Sequence, residues 1–367
     1  MTTWTVLALV SALLCGLVGW TLPAWVAKRF VASQEAGGNV VFNFNGAPVT
    51  IGLGLVWVVW AIAIAVLSNL VAFGTQVLTA AIQSSGGIPE DFISSVSFSP
   101  LATATHVVPF LLVIGTALFG LADDVFGGSD DKGFAGHIGA LRSGRLTTGM
   151  LKLVGIGALA FVTSTSIAST IDAADPAVAA ATGWMHAAFV ALTWIAATLV
   201  IALCANLVNL TDVRPGRAMK SFIPLAVAGV ALCTWGFWTS LQKAIASTAA
   251  ASGIAGAADL SGGLPTGAQA WAWGIGSVVC MLLLVLGPVF ASWRYDLGER
   301  AMLGDAGANA MGALAGYLLA RNAPLWLLGV MAVVLVALNL ASEKVSFTSV
   351  IERVPALAWL DGLGRVK

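Results

Sequence analysis

Asp123 and Asp124 stand side by side where the apolar run ending Leu118-Phe-Gly-Leu-Ala meets a polar loop. That loop goes on to Lys132, Arg142, Arg145 and Lys152. Paired carboxylates followed by several cations are suited to a divalent ion and to phosphate. Ionisable groups at membrane depth are costly and mark function by default. The alternative, a solvated helix end, leaves carboxylates at the unfavourable pole of the helix dipole. Thr147 or Thr148 is placed to cap the next helix, which puts Lys152 on its first turn. There it serves phosphate or snorkels to the interface. Asp130 and Asp131, in a Gly-rich stretch, read as solvated. His137, in the same loop, reads as a solvated or hydrogen-bonding residue.

A second polar group closes a later apolar run. Asn206, Asn209 and Asp212 recur at a spacing that shares one helix face. Oxygen-bearing side chains there are expensive without a partner. Arg214, Arg217 and Lys220 follow and supply fork-like and point-charge donors for phosphate. A purely topological anchor accounts for these cations but not for the Asn/Asp stripe. A third group, Gly304-Asp305-Ala-Gly307, feeds a short Gly/Ala-rich helix and puts Asp305 at its N-terminus, where it also suits a cap.

The elements that must position these groups are membrane helices. Charged residues make up 9% of the 367 and apolar residues 59%, against an ordinary charged share of about 25%. Crossing a hydrocarbon core takes about 20 apolar residues. Such runs fall near 4–26, 51–73, 101–122, 148–169, 183–207, 221–242, 269–293, 307–320 and 324–341. The fold class expected is an all-α polytopic membrane protein of about nine spans. Residues 1–341 form the transmembrane domain and 342–367 a tail with an amphipathic interfacial helix.

With nine spans, 15 of the 17 Lys and Arg residues lie on one side and only Lys243 and Arg321 on the other. Cytoplasmic loops carry the excess of cations. The N-terminus is therefore expected outside and the C-terminus, with all three polar groups, in the cytoplasm. The zero net charge says nothing about a nucleic-acid partner, and none is expected. Cys15, Cys204, Cys233 and Cys280 lie in apolar runs without metal-ligand spacing and read as small packing residues. His106 and His186 belong to the opposite side and read as structural. The segment with Asn43, Gly46 and Pro48 reads as a turn, either solvated or facing substrate.

In this order the three groups resemble the polyprenyl-phosphate N-acetylhexosamine-1-phosphate transferases. That family includes the phospho-N-acetylmuramoyl-pentapeptide translocases. Its Asp-Asp signature with two following lysines is matched by Asp123, Asp124, Lys132 and Lys152. Its Asn-x-x-Asn-x-x-Asp is matched by Asn206, Asn209 and Asp212, and its Gly-Asp-x-Gly by Gly304, Asp305 and Gly307. The likeness covers about residues 40 to 341. It implies transfer of an N-acetylhexosamine 1-phosphate from a UDP-linked donor to a polyprenyl phosphate, releasing the nucleoside monophosphate, in bacterial envelope glycan synthesis.

The resemblance further implies catalytic Asp123, Asp124 and Asp305, with Mg²⁺, or Mn²⁺ in its place, on Asp305 and Asp124. Lys132, Lys152, Asn206, Asn209 and Asp212, joined by Arg214 and Arg217, would bind substrate. A homodimer and a site on the cytoplasmic face of the bacterial inner membrane are also implied. The chain departs from the family in four places. Asp212 is followed by Val213-Arg214-Pro215-Gly216, Ala308 replaces a Ser, no histidine run follows Ser342, and a tenth span is missing. Catalytic machinery thus carries over better than nucleotide and sugar recognition. Two rivals remain as alternatives, each lacking its expected mark here. A CDP-donor lipid phosphotransferase would show a dense Asp-Gly-x-x-Ala-Arg pattern, and a transporter would show mid-span charges and internal repeats.

Overall fold

The structure is a computed structural model that describes residues 3–43, 46–85, 109–127, 136, 139–140, 142–145, 147–252 and 268–365. Its elements follow the apolar runs. Helix α1 (Thr3–Gly16) passes through a π-helical turn, Leu17–Thr21, into α2 (Leu22–Gly37). The first apolar run thus continues as helix well past its expected end and stops only at Gly38, whose φ of 69° gives a left-handed cap of the kind glycine adopts freely. A short antiparallel hairpin follows, β1 (Val40–Phe42) and β2 (Pro48–Thr50). It is the departure from helix among the described elements.

Then come α3 (Leu55–Ser85), α4 (Phe110–Phe126) and α5 (Thr148–Ala168). After them lie the short α6 (Ile171–Ala174) and α7 (Pro176–Ala180), and the long α8 (Gly183–Thr211), α9 (Arg217–Ser252) and α10 (Ala268–Leu297). The chain closes with α11 (Gly304–Ala320), α12 (Leu325–Ser342), α13 (Phe347–Arg353) and α14 (Pro355–Gly362). Among the described residues, 7 helices are long and apolar enough to cross a membrane. They are Val6–Gly37, Leu55–Gly74, Thr148–Ala168, Gly183–Thr211, Arg217–Thr239, Trp273–Leu297 and Leu325–Ser342. The architecture is that of a helical polytopic membrane protein. Its outward residues agree, since Leu13, Leu70, Leu111, Val162, Trp235 and Val333 are apolar and at least half exposed.

The other two expected spans are the 17-residue helices α4 and α11. At about 1.5 Å per residue, each is shorter than a hydrocarbon core. For α11 the reason is visible: every residue from Ala306 to Ala320 is buried, so it meets protein rather than lipid. It is the central post, packed on α8, α4 and α9. Small residues permit this. A Cβ added to Gly312 would lie 2.6 Å from the Ala205 Cα, and one at Gly316 would lie 2.7 Å from the Ile201 Cα. Close backbone approach through small side chains is how helices associate where no hydrophobic drive separates protein from lipid.

The hairpin matters because of what it holds. Thr50 donates its N–H to the Arg300 carbonyl at 3.0 Å and accepts from Met302 N–H at 2.8 Å; Gly54 N–H donates to the Leu303 carbonyl at 3.1 Å. The segment that leads into α11 is thereby bonded, strand-like, to the end of the first loop. Replacing Gly312 by Leu should force α8 and α11 apart at a cost of about 1–3 kcal/mol, typical of overpacking. A thermal melt of the purified protein in detergent checks this, and an unchanged melting temperature would mean that the two helices are not in such close contact.

Candidate functional site

The site forms where the C-terminus of α4, the N-termini of α5 and α11 and the loop after α8 meet. Thr147 caps α5 as expected, its Oγ1 accepting from Met150 N–H at 3.1 Å, and so sets Lys152 on the first turns. Lys152 Nζ donates to Asp123 Oδ2 at 2.6 Å and also to Asp305 Oδ2. All three side chains are largely sheltered. One ammonium therefore lies between two carboxylates from helices far apart in sequence.

Asp124 has a different task from its neighbour. Its Oδ1 accepts from Asp305 N–H at 3.1 Å and its Oδ2 from Ala306 N–H at 3.2 Å. It is the cap of α11, supplied from α4. The first N–H groups of a helix have no partner within it, and its N-terminus favours negative charge. Gly304 explains itself here. Its φ is 69°, and a Cβ on it would fall 2.7 Å from Asp124 Oδ2. One turn back on α4, a Cβ at Gly120 would overlap the Asp305 backbone, so α4 and α11 touch main chain to main chain beside the acids.

The second group joins through Asp212, the residue that closes α8. The backbone of Gly304 lies beside its carboxyl. Removal from water, reinforced by the nearby Asp296, Asp305 and Asp124, raises its pKa well above the usual carboxylate range. Asn209 Oδ1 is buried and has no hydrogen-bond partner among the described residues. Asn206 instead pins two helices, donating to Asn339 Oδ1 of α12 at 2.7 Å. A cavity of about 230 Å³ opens beside Asp212, bounded by Phe42, Asn43, Arg214, Asp296 and Glu299 among others.

Asp123, Asp124, Lys152, Asp212 and Asp305 are thus brought together. Arg214 borders the cavity and pairs with Glu352 at 3.1 Å. Arg217 is directed away into the C-terminal tail, held by Asp361. Lys132 and His137 lie outside the described residues. Among the described residues no group of three or more His, Cys, Asp or Glu side chains has metal-ligand geometry. The pair Asp124 and Asp305 remains as carboxylates in adjacent positions, which suits Mg²⁺, an ion that takes one or two carboxylates and completes its shell with phosphate oxygens and water.

Two participants went unrecognised in the sequence. Asp296 is buried and accepts from Gly216 N–H at 2.6 Å, tethering the loop after Asp212. Glu299, at a positive φ of 52°, accepts from Asn43 Nδ2 at 2.6 Å, tethering the hairpin. The available signal was the one that marked Asp123, an acid at the end of an apolar run. Compared with models of known protein families and with curated proteins, the chain matches none.

Two outcomes follow from this geometry. An exposed Asp ionises near pH 3.9, whereas Asp212 holds its proton higher, so its ionisation opposes folding increasingly as pH rises from about 4 towards the folded value. Asp212→Asn keeps the acceptor and removes that penalty. It should melt at or above the wild-type temperature at neutral pH, with the gain shrinking toward pH 4; a less stable variant at pH 7 would refute the assignment. Lys152→Gln leaves Asp123 and Asp305 facing each other without the cation. It should cost about 1–3 kcal/mol, between exposed and fully buried pairs, and denaturant or thermal unfolding in detergent measures it.

Proposed function

We propose that the protein is a membrane phosphotransferase that moves a sugar 1-phosphate from a nucleotide-activated sugar, UDP-linked, onto a polyprenyl phosphate. The observation that carries this reading is the meeting of Asp123, Lys152, Asp305, Asp124 and Asp212, from three loops, at one end of an apolar helix bundle. An acid and cation cluster at the end of an apolar helix bundle suits a reaction between a water-soluble diphosphate and a lipid phosphate. The motif order described above narrows the donor to an N-acetylhexosamine and the setting to bacterial envelope synthesis.

In this reading an oxygen of the polyprenyl phosphate attacks the phosphorus next to the sugar. The bond from that phosphorus to the bridging oxygen breaks, and the nucleoside monophosphate leaves with the electron pair. A lipid diphosphate sugar is the other product. Such transfers need in-line placement and charge neutralisation more than covalent catalysis. Lys152, already between two carboxylates, supplies a movable positive charge for a phosphate oxygen. Asp123 orients Lys152 and takes the proton of a singly protonated lipid phosphate; a phosphate already ionised needs only the orientation. Asp305 and Asp124 would hold the divalent cation, which when bound neutralises the diphosphate. Asp124 also keeps the start of α11, and with it Asp305, in place. Asp212, Asn209 and the cavity between the hairpin and residues 212–215 accept hydroxyl and amide groups of the donor.

The same reading has the chain cross the membrane nine times. The N-terminus is outside and the site faces the cytoplasm of the bacterial plasma membrane, because 15 of 17 cations then share the site's side. A donor screen with purified protein, a short polyprenyl phosphate and Mg²⁺, following nucleoside monophosphate release, tests the activity. Turnover should vanish in excess chelator and fall by about 10²–10³ in Asp305→Asn, the scale of a lost electrostatic contact at the reacting centre. No release from any nucleotide sugar would end the proposal. Sidedness is tested separately: a cysteine introduced near Arg142 or Arg300 should resist membrane-impermeant reagent in intact cells, and labelling from outside would reverse the topology.

A further inference from the structure

A second ionic centre lies under the C-terminal tail. Helices α13 and α14 bury no residue, yet their polar edge is firmly attached to the start of α9. Arg217, 3% exposed, donates from Nε to Asp361 Oδ1 at 2.8 Å and from Nη2 to Asp361 Oδ2 at 2.9 Å. Its Nη1 donates to Thr348 Oγ1 at 2.8 Å. Lys220 Nζ donates to the Asp361 carbonyl oxygen at 2.6 Å. Arg365, on the tail itself, donates to Asp361 Oδ1 at 2.6 Å and to the Pro215 carbonyl at 3.0 Å. Beside them Arg214 pairs with Glu352, and Asp296 lies beneath, accepting from Gly216.

Two guanidinium groups thus converge on the Asp361 carboxylate, with the Lys220 ammonium beside them on its main-chain carbonyl. Burial works against the Asp361 charge, but the hydrogen bonds from Arg217 and the positive charges of Arg365, Arg217 and Lys220 outweigh it and hold its pKa below the ordinary range. A guanidinium engaged along both edges, with an ammonium alongside, is also the donor set that takes a phosphate. The carboxylate filling it comes from α14, and since neither tail helix buries a residue, these polar contacts are what hold the segment. Lifting it alone would strip buried Arg217 of its counter-charge, which is heavily penalised. Departure of the tail therefore requires another anion to enter.

We propose that Arg217 and Lys220, flanked by Arg214, form a phosphate-binding site that Asp361 occupies as a resident substitute, so that the tail and a phosphate-bearing ligand exclude one another. The site lies at the start of α9, directly after the loop that carries Asp212, so its occupant sets that loop's position. Both a soluble diphosphate and the head group of an anionic phospholipid present the required chemistry. This assignment stands apart from the transferase reading, because it concerns binding and is measured without turnover.

The test is calorimetric titration of the full-length protein in detergent with inorganic pyrophosphate. Asp361→Asn should bind at least about tenfold tighter than wild type, the scale of one charge-assisted hydrogen bond removed from the competitor. Adding Arg217→Gln should abolish the gain. The pair Thr348→Val and Glu352→Gln loosens the tail while keeping Asp361, and should move affinity in the same direction if Asp361→Asn proves too unstable to titrate. Repeating the titration in nanodiscs separates the sources. Pyrophosphate binding weakened by phosphatidylglycerol identifies the lipid head group as a ligand, and binding indifferent to it identifies a soluble phosphate. Tail variants that bind pyrophosphate no tighter than wild type, or a gain that survives Arg217→Gln, would overturn the proposal.

Discussion

The amino end of α11 is the constraint on which the rest depends. A helix begins there in surroundings poor in water, and its leading N–H groups need acceptors that the helix cannot provide. Asp124 provides them, at Asp305 and Ala306. With that carboxylate committed in this way, Asp305 stands among like charges, and Lys152 becomes necessary to keep it there. Asn309 adds support from below, donating to the Asp305 carbonyl at 2.7 Å. The chemistry of the site and the stability of the central helix are thus the same set of hydrogen bonds.

This shared use explains why small residues cluster where they do. Gly54, Gly120 and Gly304 sit where α3, α4 and the start of α11 come closest, each lacking the Cβ that would strike backbone or the Asp124 carboxylate. A larger residue at any of them displaces the backbone that carries Asp124 or Asp305 without altering either acid. The fully buried α11 then conveys that position through the molecule, since all its neighbours lean on it.

The helices were legible in the sequence because each rests on a local quantity, the length of an apolar run. The pairing of Asp123, Asp124 and Asp305 was legible because acids are scarce in such a chain and their placement is costly. The attachment of Thr50 to Arg300 and Met302 was not, since main-chain bonds between segments about 250 residues apart leave no trace in side-chain pattern. Arg217 illustrates a different limit. Its geometry suits phosphate and carboxylate equally, so residue type could not reveal that Asp361 holds it. Asn206 likewise shares a helix face with Asn209, yet which one meets α12 depends on a rotation that spacing of three does not determine.

The cap of α11 also bears on how the protein is made. Asp124 precedes Asp305 by 181 residues, which at about 5–20 residues per second is a delay of roughly 10–40 s during synthesis. Through that interval the end of α4 is already placed while its helix partner does not yet exist. Lys152 emerges far sooner and can neutralise Asp123 at once, but Asp124 must wait in contact with water. The cap of α11 can therefore form only after most of the chain has been made.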